Sequence, residues 1–331
     1  MFDYQTKRAI KLINQAIDTL SLNLDGQIVL TEVGSNYYIY TPIIAALAGA
    51  EKVCAITKDS RYGKGEDIKK ECLRIAAALG VENKIEISIN VVPDEFIAEA
   101  DIITNSGNLR PLNESILAKA KKDVVIPLMY EKWEVRKEDI DIDYCQKNKI
   151  KVAGTWEEHP DINVFGACGQ LAIKLAHEAG YEVFGNNIVV WSDDHFGDVV
   201  SEGFRSAGAK RVITTTNYTD LLNGFKECDF IFVCDYDETR PYFGSNGFMD
   251  LDELVSLNDA FGVVHLYGEI DNELLSNKGV NVYPMRKGIA KFMTQTLGYV
   301  GLTPIINLQV AGLKVAECMI KNEESELVQY F

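Results

Sequence analysis

The chain has no Cys-x-x-Cys pair, and its seven cysteines (Cys54, Cys72, Cys145, Cys168, Cys228, Cys234 and Cys318) are odd in number and scattered. That spacing argues against a disulfide framework or a thiolate zinc site and fits reduced thiols in the cytoplasm. No run of about 18 apolar residues occurs, so no transmembrane helix is expected. Residues 1–20 read as an amphipathic helix with acidic residues rather than a signal peptide. Basic residues are in deficit, 33 Lys and Arg against 49 Asp and Glu, for a net charge of −16. A field of that sign disfavours nucleic acid and anionic membrane as partners. A small molecule is the expected partner. Histidine is scarce, with four in the chain. No short repeat, no low-complexity linker and no G-x-G-x-x-G is found.

What is present is alternation. A chain of 331 residues holds two ordinary domains. Strands are predicted at 27–33, 52–57, 85–91, 102–104, 124–127 and 151–153, with helices at 40–48, 66–79, 94–98 and 113–120 between them. A long helix at 164–179 leads to a second set of strands near 188–191, 211–214, 229–233, 261–265 and 280–283. A last amphipathic helix spans 304–318. Strands alternating with helices predict parallel sheets. The fold class is α/β, with two doubly wound, Rossmann-like domains and an interdomain cleft. The first covers 1–160, completed by 304–331 if the last helix folds back. The second covers 161–303.

The opening of the second set is the most informative segment. Strand Asn187–Trp191 is followed by Ser192-Asp193-Asp194-His195-Phe196-Gly197 and then by a helix predicted over 198–207. A dinucleotide site places glycines in such a turn so that backbone N–H groups cradle a pyrophosphate. Here only the last glycine position is kept, as Gly197. Asp193 and Asp194 put two carboxylates where the pyrophosphate would lie, and like charges repel. The cofactor stays open: the architecture offers NAD(P), and Asp193 and Asp194 oppose it. Any nucleotide held there would meet Ser192, Asp194 and Gly197.

Three segments carry a family resemblance. They are Ile102-Ile103-Thr104-Asn105-Ser106-Gly107-Asn108-Leu109-Arg110-Pro111-Leu112-Asn113, then Ile150-Lys151-Val152-Ala153-Gly154-Thr155 with Phe165-Gly166-Ala167-Cys168, and the strand–turn–helix at 188–207. Their layout resembles the D-2-hydroxyacid dehydrogenases and their relatives, including S-adenosylhomocysteine hydrolase. The resemblance implies a flavodoxin-like substrate domain, a Rossmann domain and a homodimer. The family's functional residues are replaced. Tyr267, in Val264-His265-Leu266-Tyr267-Gly268-Glu269, stands where the catalytic arginine is expected, and Val282–Gly288 has no histidine. Thr215, Thr216 and Asn217 stand in place of a ribose-binding acid. Hydride transfer to a 2-keto acid needs a cation and a proton donor, so ordinary dehydrogenase activity is not expected.

Other residues are candidates by position. Glu32-Val33-Gly34-Ser35, then a strand ending at Lys58-Asp59, suits an adenosine cofactor as in class I methyltransferases, with Gly34 in the turn and Asp59 at the ribose. Ordinary turn chemistry explains the same residues. Ser106, Asn108 and Arg110 follow a strand's carboxyl end, where open α/β sheets bind ligands, and form with Arg286 the candidate substrate-binding set. His195, His265 and Tyr267 are the candidate catalytic groups, provided both histidines reach one crevice. Asp193 or Asp194 capping the next helix is the structural alternative. No metal is assigned. Three functions stay open: a diverged enzyme with a small anionic or nucleotide-derived ligand, a catalytically silent binding or scaffold protein, and an adenosine-cofactor enzyme using the first domain.

Overall fold

The computed structural model describes residues 2–236, 238–244 and 246–331. The chain divides into two compact units, residues 1–164 with 301–331, and residues 165–300. In chain order the first opens with α1 (Tyr4–Leu20), β1 (Ile28–Glu32), α2 (Thr41–Leu47), β2 (Lys52–Thr57), α3 (Gly65–Ala78) and β3 (Ile85–Ile89). It continues with α4 (Asp94–Glu99), β4 (Ile102–Ile103), α5 (Glu114–Leu117), β5 (Val125–Pro127), α6 (Ile142–Asn148) and β6 (Lys151–Thr155). The second unit holds α7 (Ala167–Glu178), β7 (Asn187–Trp191), α8 (His195–Ser206), β8 (Arg211–Thr215), α9 (Tyr218–Leu222) and β9 (Phe230–Val233). Then come α10 (Leu251–Leu257), β10 (Gly262–His265), α11 (Asn272–Asn277) and β11 (Asn281–Tyr283). The chain returns to the first unit with α12 (Leu302–Lys321) and β12 (Val328–Tyr330).

The first sheet runs β12-β6-β5-β4-β1-β2-β3. All its pairs are parallel except β12 on β6. Its parallel part has the 3-2-1-4-5-6 order of dinucleotide-binding sheets. The second sheet, β11-β10-β9-β7-β8, is all parallel. Its order is 2-1-3-4-5, that of flavodoxin-like sheets, with β8 as the edge strand among the described residues. The expected α/β class with two Rossmann-like sheets is what the molecule has.

Burial follows strand alternation. Leu30, Cys54, Ile56, Ile103 and Ile126 share one core with Phe96 and Ile97 of α4 and Leu117 of α5. Their neighbours Val29, Val53, Ala55, Ile102 and Val125 are also buried, and alternation turns them to the other face. There α2 and α12 pack, with α1 against α12. A sheet covered on both faces explains strands that are apolar at consecutive positions. In the second unit Val189, Trp191, Ile231, Val233 and Val263 form the core with Leu221, Phe225, Leu254 and Leu275.

Two differences from the pattern expected of the sequence matter. Helix α8 begins at His195, three residues before the predicted start, because the Asp194 side chain caps it. Gly197 therefore lies in the first helical turn. A short 3-10 helix, Asn36–Tyr40, also separates β1 from α2. Among the described residues, no helix is long and apolar enough to cross a membrane.

Candidate functional site

In an open parallel sheet, ligands collect at the carboxyl ends of strands where the strand order reverses. Each unit has one such point. In the first it lies between β1 and β4, in the second between β7 and β9.

The second unit's reversal point is spanned by a side chain. The Asp194 carboxylate accepts the Ser192 hydroxyl at 2.8 Å and the Phe196 amide at 2.9 Å through Oδ1, with Gly197 N at 3.4 Å. Its Oδ2 accepts Tyr236 N, from the loop after β9, at 2.7 Å. The N–H groups that would cradle a phosphate already hold an anion of the protein's own. Gly197 is required for packing, since a Cβ there would lie 2.8 Å from Ser192 Cβ and Oγ. Asp235 is buried beside this group. Burial, then the Asp194 and Asp193 carboxylates, push its carboxyl up to about 7. An aromatic cluster packs at the same edge. Tyr267 is buried, 4.7 Å from Phe196 and 5.3 Å from Tyr236 between ring centroids, and Phe165 lies 4.8 Å from Phe196. A dinucleotide does not fit residues so arranged.

The two candidate histidines have different surroundings. His195 is the exposed first residue of α8, edge-on to Phe165 at 6.4 Å. His265 is fully buried, with Nε2 3.0 Å from the Pro284 carbonyl. Nε2 therefore carries the proton, and Nδ1 is a bare acceptor without a partner. Burial holds this imidazole down at about 4. Arg286 donates to the Thr294 carbonyl, and the Thr294 hydroxyl donates to His265 O at 2.8 Å. Arg286 thus braces the loop beyond β11.

The first unit's edge is richer in buried polar groups. Glu32, at the end of β1, crosses the reversal point and accepts Asn108 N at 2.9 Å. Burial pushes its carboxyl above the usual range, against the Asn108 amide and the Arg110 charge. A hydroxyl chain, Thr31 to Thr104 at 2.9 Å and Thr104 to Ser106 at 2.8 Å, runs beside it. Asn108 Nδ2 reaches the Val33 carbonyl at 3.4 Å. Gly34 sits against Tyr38, where a Cβ would come within 2.7 Å of the tyrosine Cβ. Asp59 is exposed and receives Gly65 N at 2.8 Å and Asn90 Nδ2 at 3.0 Å. Those bonds, Asn90 first, hold its carboxyl below the usual range. Arg110 turns inward, with Nη2 donating to Asn105 O at 2.8 Å, Nη1 3.4 Å from Asp139, and its guanidinium 4.9 Å from the Tyr130 ring centre.

Three glutamates that the sequence did not single out meet further along this edge. Glu131 follows β5. Its Oε1 accepts Glu157 N, from the loop after β6, at 2.7 Å, and its Oε2 accepts Gln329 Nε2 of β12 at 2.6 Å. Glu134 returns to Glu131 N at 3.3 Å. Burial pushes the Glu134 carboxyl up to about 7. Glu157 is 6% exposed. Burial, then Glu134 and Glu131, raise its carboxyl well above the ordinary value. The available sequence signal was the pair Glu157-Glu158 directly after a strand; the partners come only from the sheet order.

Comparison with solved structures agrees with this architecture. Dipicolinate synthase from Bacillus subtilis superposes with a TM-score of 0.56 and 13% identity, over 92% of this chain and 100% of its matching chain. Dipicolinate synthase from Bacillus halodurans gives 0.54 and 11% over 91% and 98%. The pyruvate reductase of Chlamydomonas reinhardtii gives 0.50 and 10% over 92% and 99%. The chain shares their fold. The resemblance expected from its sequence holds at that level. No protein-family model and no curated protein sequence matches the chain.

Proposed function

We propose that this protein is an enzyme diverged from the NAD-dependent two-domain pattern, with its ligand site on the carboxyl edge of the first sheet. The ligand is adenosine-bearing and lacks a pyrophosphate, as S-adenosylmethionine does. The observation that carries this reading is the Asp194 carboxylate, which already fills the phosphate-binding N–H groups of the second unit.

Supporting it, the first sheet has the nucleotide-binding strand order and an acid, Asp59, just past the end of β2. An acid near that position accepts ribose hydroxyls in dinucleotide folds. Asp59 is ionised and exposed, as that role requires. Gly34 lets the turn after β1 run close to Tyr38, and Asn108 reaches that turn across the reversal point. A net charge of −16 favours a cationic sulfonium over a polyanion. Glu134 and Glu157, protonated more readily than ordinary carboxyls, are the proposed acid–base pair of this edge. Arg110 is a positioning residue that fixes the 105–110 loop.

The test is calorimetric titration with S-adenosylmethionine, with NADH fluorescence followed on the same preparation. Saturable S-adenosylmethionine binding that weakens in Asp59→Ala, with no NADH signal, is expected. Micromolar NADH binding overturns the reading. Silence with both ligands also overturns it and leaves a cofactor-free enzyme or a scaffold protein.

A further inference from the structure

The carboxyl edge of β2 and β3 carries a feature that the ribose role of Asp59 does not explain. Two large apolar side chains stand in solvent there, Tyr62 at 61% exposed and Val91 at 67%. Both sit on turns that are tied together at Asp59. Asp59 N donates to Asn90 Oδ1 at 2.9 Å, and Asn90 Nδ2 donates back to Asp59 Oδ2 at 3.0 Å. Asn90 N also donates to the Thr57 carbonyl at 2.8 Å. Asn90 adopts a left-handed conformation, φ 64°, which asparagine tolerates better than most residues. The reciprocal pair joins the turn after β2 to the turn after β3.

Each turn is also closed on itself. Ser60 N donates to Gly63 O at 3.0 Å, Gly63 N to Ser60 O at 3.2 Å, and Tyr62 N to Ser60 Oγ at 3.1 Å. Gly65 N then returns to Asp59 Oδ1 at 2.8 Å. On the other turn the Ser88 hydroxyl donates to the Val91 carbonyl at 2.7 Å. The Tyr62 ring is braced in its turn. The Arg61 guanidinium lies over it, 4.7 Å from the ring centre, and Nη2 donates to the phenol oxygen at 2.5 Å. A cation thus takes one face of the ring, and the other is open to solvent. A ring held in this way has little freedom left to lose when a flat ligand stacks on it.

We propose that Tyr62 and Val91 recognise the base of the ligand held at Asp59. A purine ring stacks on the open face of Tyr62, Val91 gives it a second apolar contact, and Asp59 takes the ribose hydroxyls. The inference rests on the adenosine reading above and names the residues that supply its affinity. Tyr62 follows Asp59 within one closed turn, so a single nucleoside can span carboxylate and ring. The probes are adenosine and methyl β-D-ribofuranoside, which keeps the ribose hydroxyls and lacks the base. Each is titrated into the full chain by calorimetry. Adenosine is expected to bind at least about tenfold more tightly than the riboside. Tyr62→Ala should weaken adenosine about tenfold, and Tyr62→Phe, which keeps the ring, by about threefold at most. Val91→Ser should weaken it by about threefold. The adenine proton resonances should move upfield on binding and lose that shift in Tyr62→Ala, which a merely structural role would not produce. If adenosine does not bind the unaltered chain, the adenosine reading falls and this inference with it. If Asp59→Ala weakens adenosine while Tyr62→Ala or Val91→Ser leaves it unchanged, the reading stands and this inference alone is overturned. Equal affinity for the two probes also overturns it.

Discussion

The two reversal points use the same device for different ends. In each, a carboxylate near the end of the central strand reaches across to a backbone amide beyond the neighbouring strand, Glu32 to Asn108 and Asp194 to Tyr236. Asp194 also caps α8, so helix, turn and neighbouring loop are locked by one side chain. Glu32 caps nothing, because a 3-10 turn separates β1 from α2. Its carboxyl is desolvated and pushed toward the neutral form, whereas Asp59 nearby stays charged and exposed. A strand–turn–helix can thus lose its ligand to an internal anion while the sheet around it is kept.

The sharpest way to break this comparison is to turn each carboxylate into an amide. Asp194→Asn keeps one acceptor oxygen for groups that now use two, and should cost about 2–3 kcal/mol in urea unfolding. Glu32→Gln keeps the acceptor and removes a charge that burial already disfavours, and should cost about 1 kcal/mol or less. Equal costs would erase the distinction. Next in size, Gly197→Ala presses a methyl group on Ser192, 2.8 Å away, and should cost about 1–3 kcal/mol as a fall in Tm.

Dependence on pH should separate the units further. Glu32, Glu134 and Glu157 all have raised folded values, about 7 for Glu134. A raised carboxyl binds more protons folded than unfolded. Its stabilisation is complete below the unfolded value of 4.5 and is lost as pH rises through the folded one. The first unit should therefore weaken from about pH 5 to about pH 8. In the second unit Asp235, raised from 3.8 to about 7, acts the same way. His265, lowered from 6.5 to about 4, opposes it: its contribution is present above 6.5 and is lost as pH falls toward 4. The two slopes offset between those values, and the second unit should be nearly flat there. Hydrogen exchange on each unit across this range reads the difference, and Asp235→Asn should expose a slope rising with pH. A small effect is also expected from Gln329→Ala. It removes one donor from Glu131 and one acceptor from Lys132 N, and should cost about 1 kcal/mol, read in a chemical melt.

Much of this fold was legible because its strands are buried on both faces. Runs such as Ile188–Trp191 and Phe230–Val233 are too apolar to lie anywhere else. The short helices α9, α10 and α11, five to seven residues each, hold too little periodicity to stand out. Strand β12 was hidden because Val-Gln-Tyr at a half-exposed edge has no apolar run. The Ser106–Arg110 loop was legible from small polar residues after a strand. Glu131, Glu134 and Glu157 were not, because convergence depends on β5 and β6 lying side by side. His195 and His265 share a sheet edge in sequence terms, yet one is exposed and the other sealed against Pro284. Alternation fixes neither outcome.

The discontinuity of the first unit has a consequence for how the chain is made. Its core needs Ile305, Ile306, Val310 and Leu313 of α12, and its edge needs β12 against β6. Both are synthesised only after residues 165–300. On the ribosome, the unit begun first is finished last. Its half-covered sheet waits through the whole of the second unit's synthesis, and that interval is when a chaperone would find the most to hold.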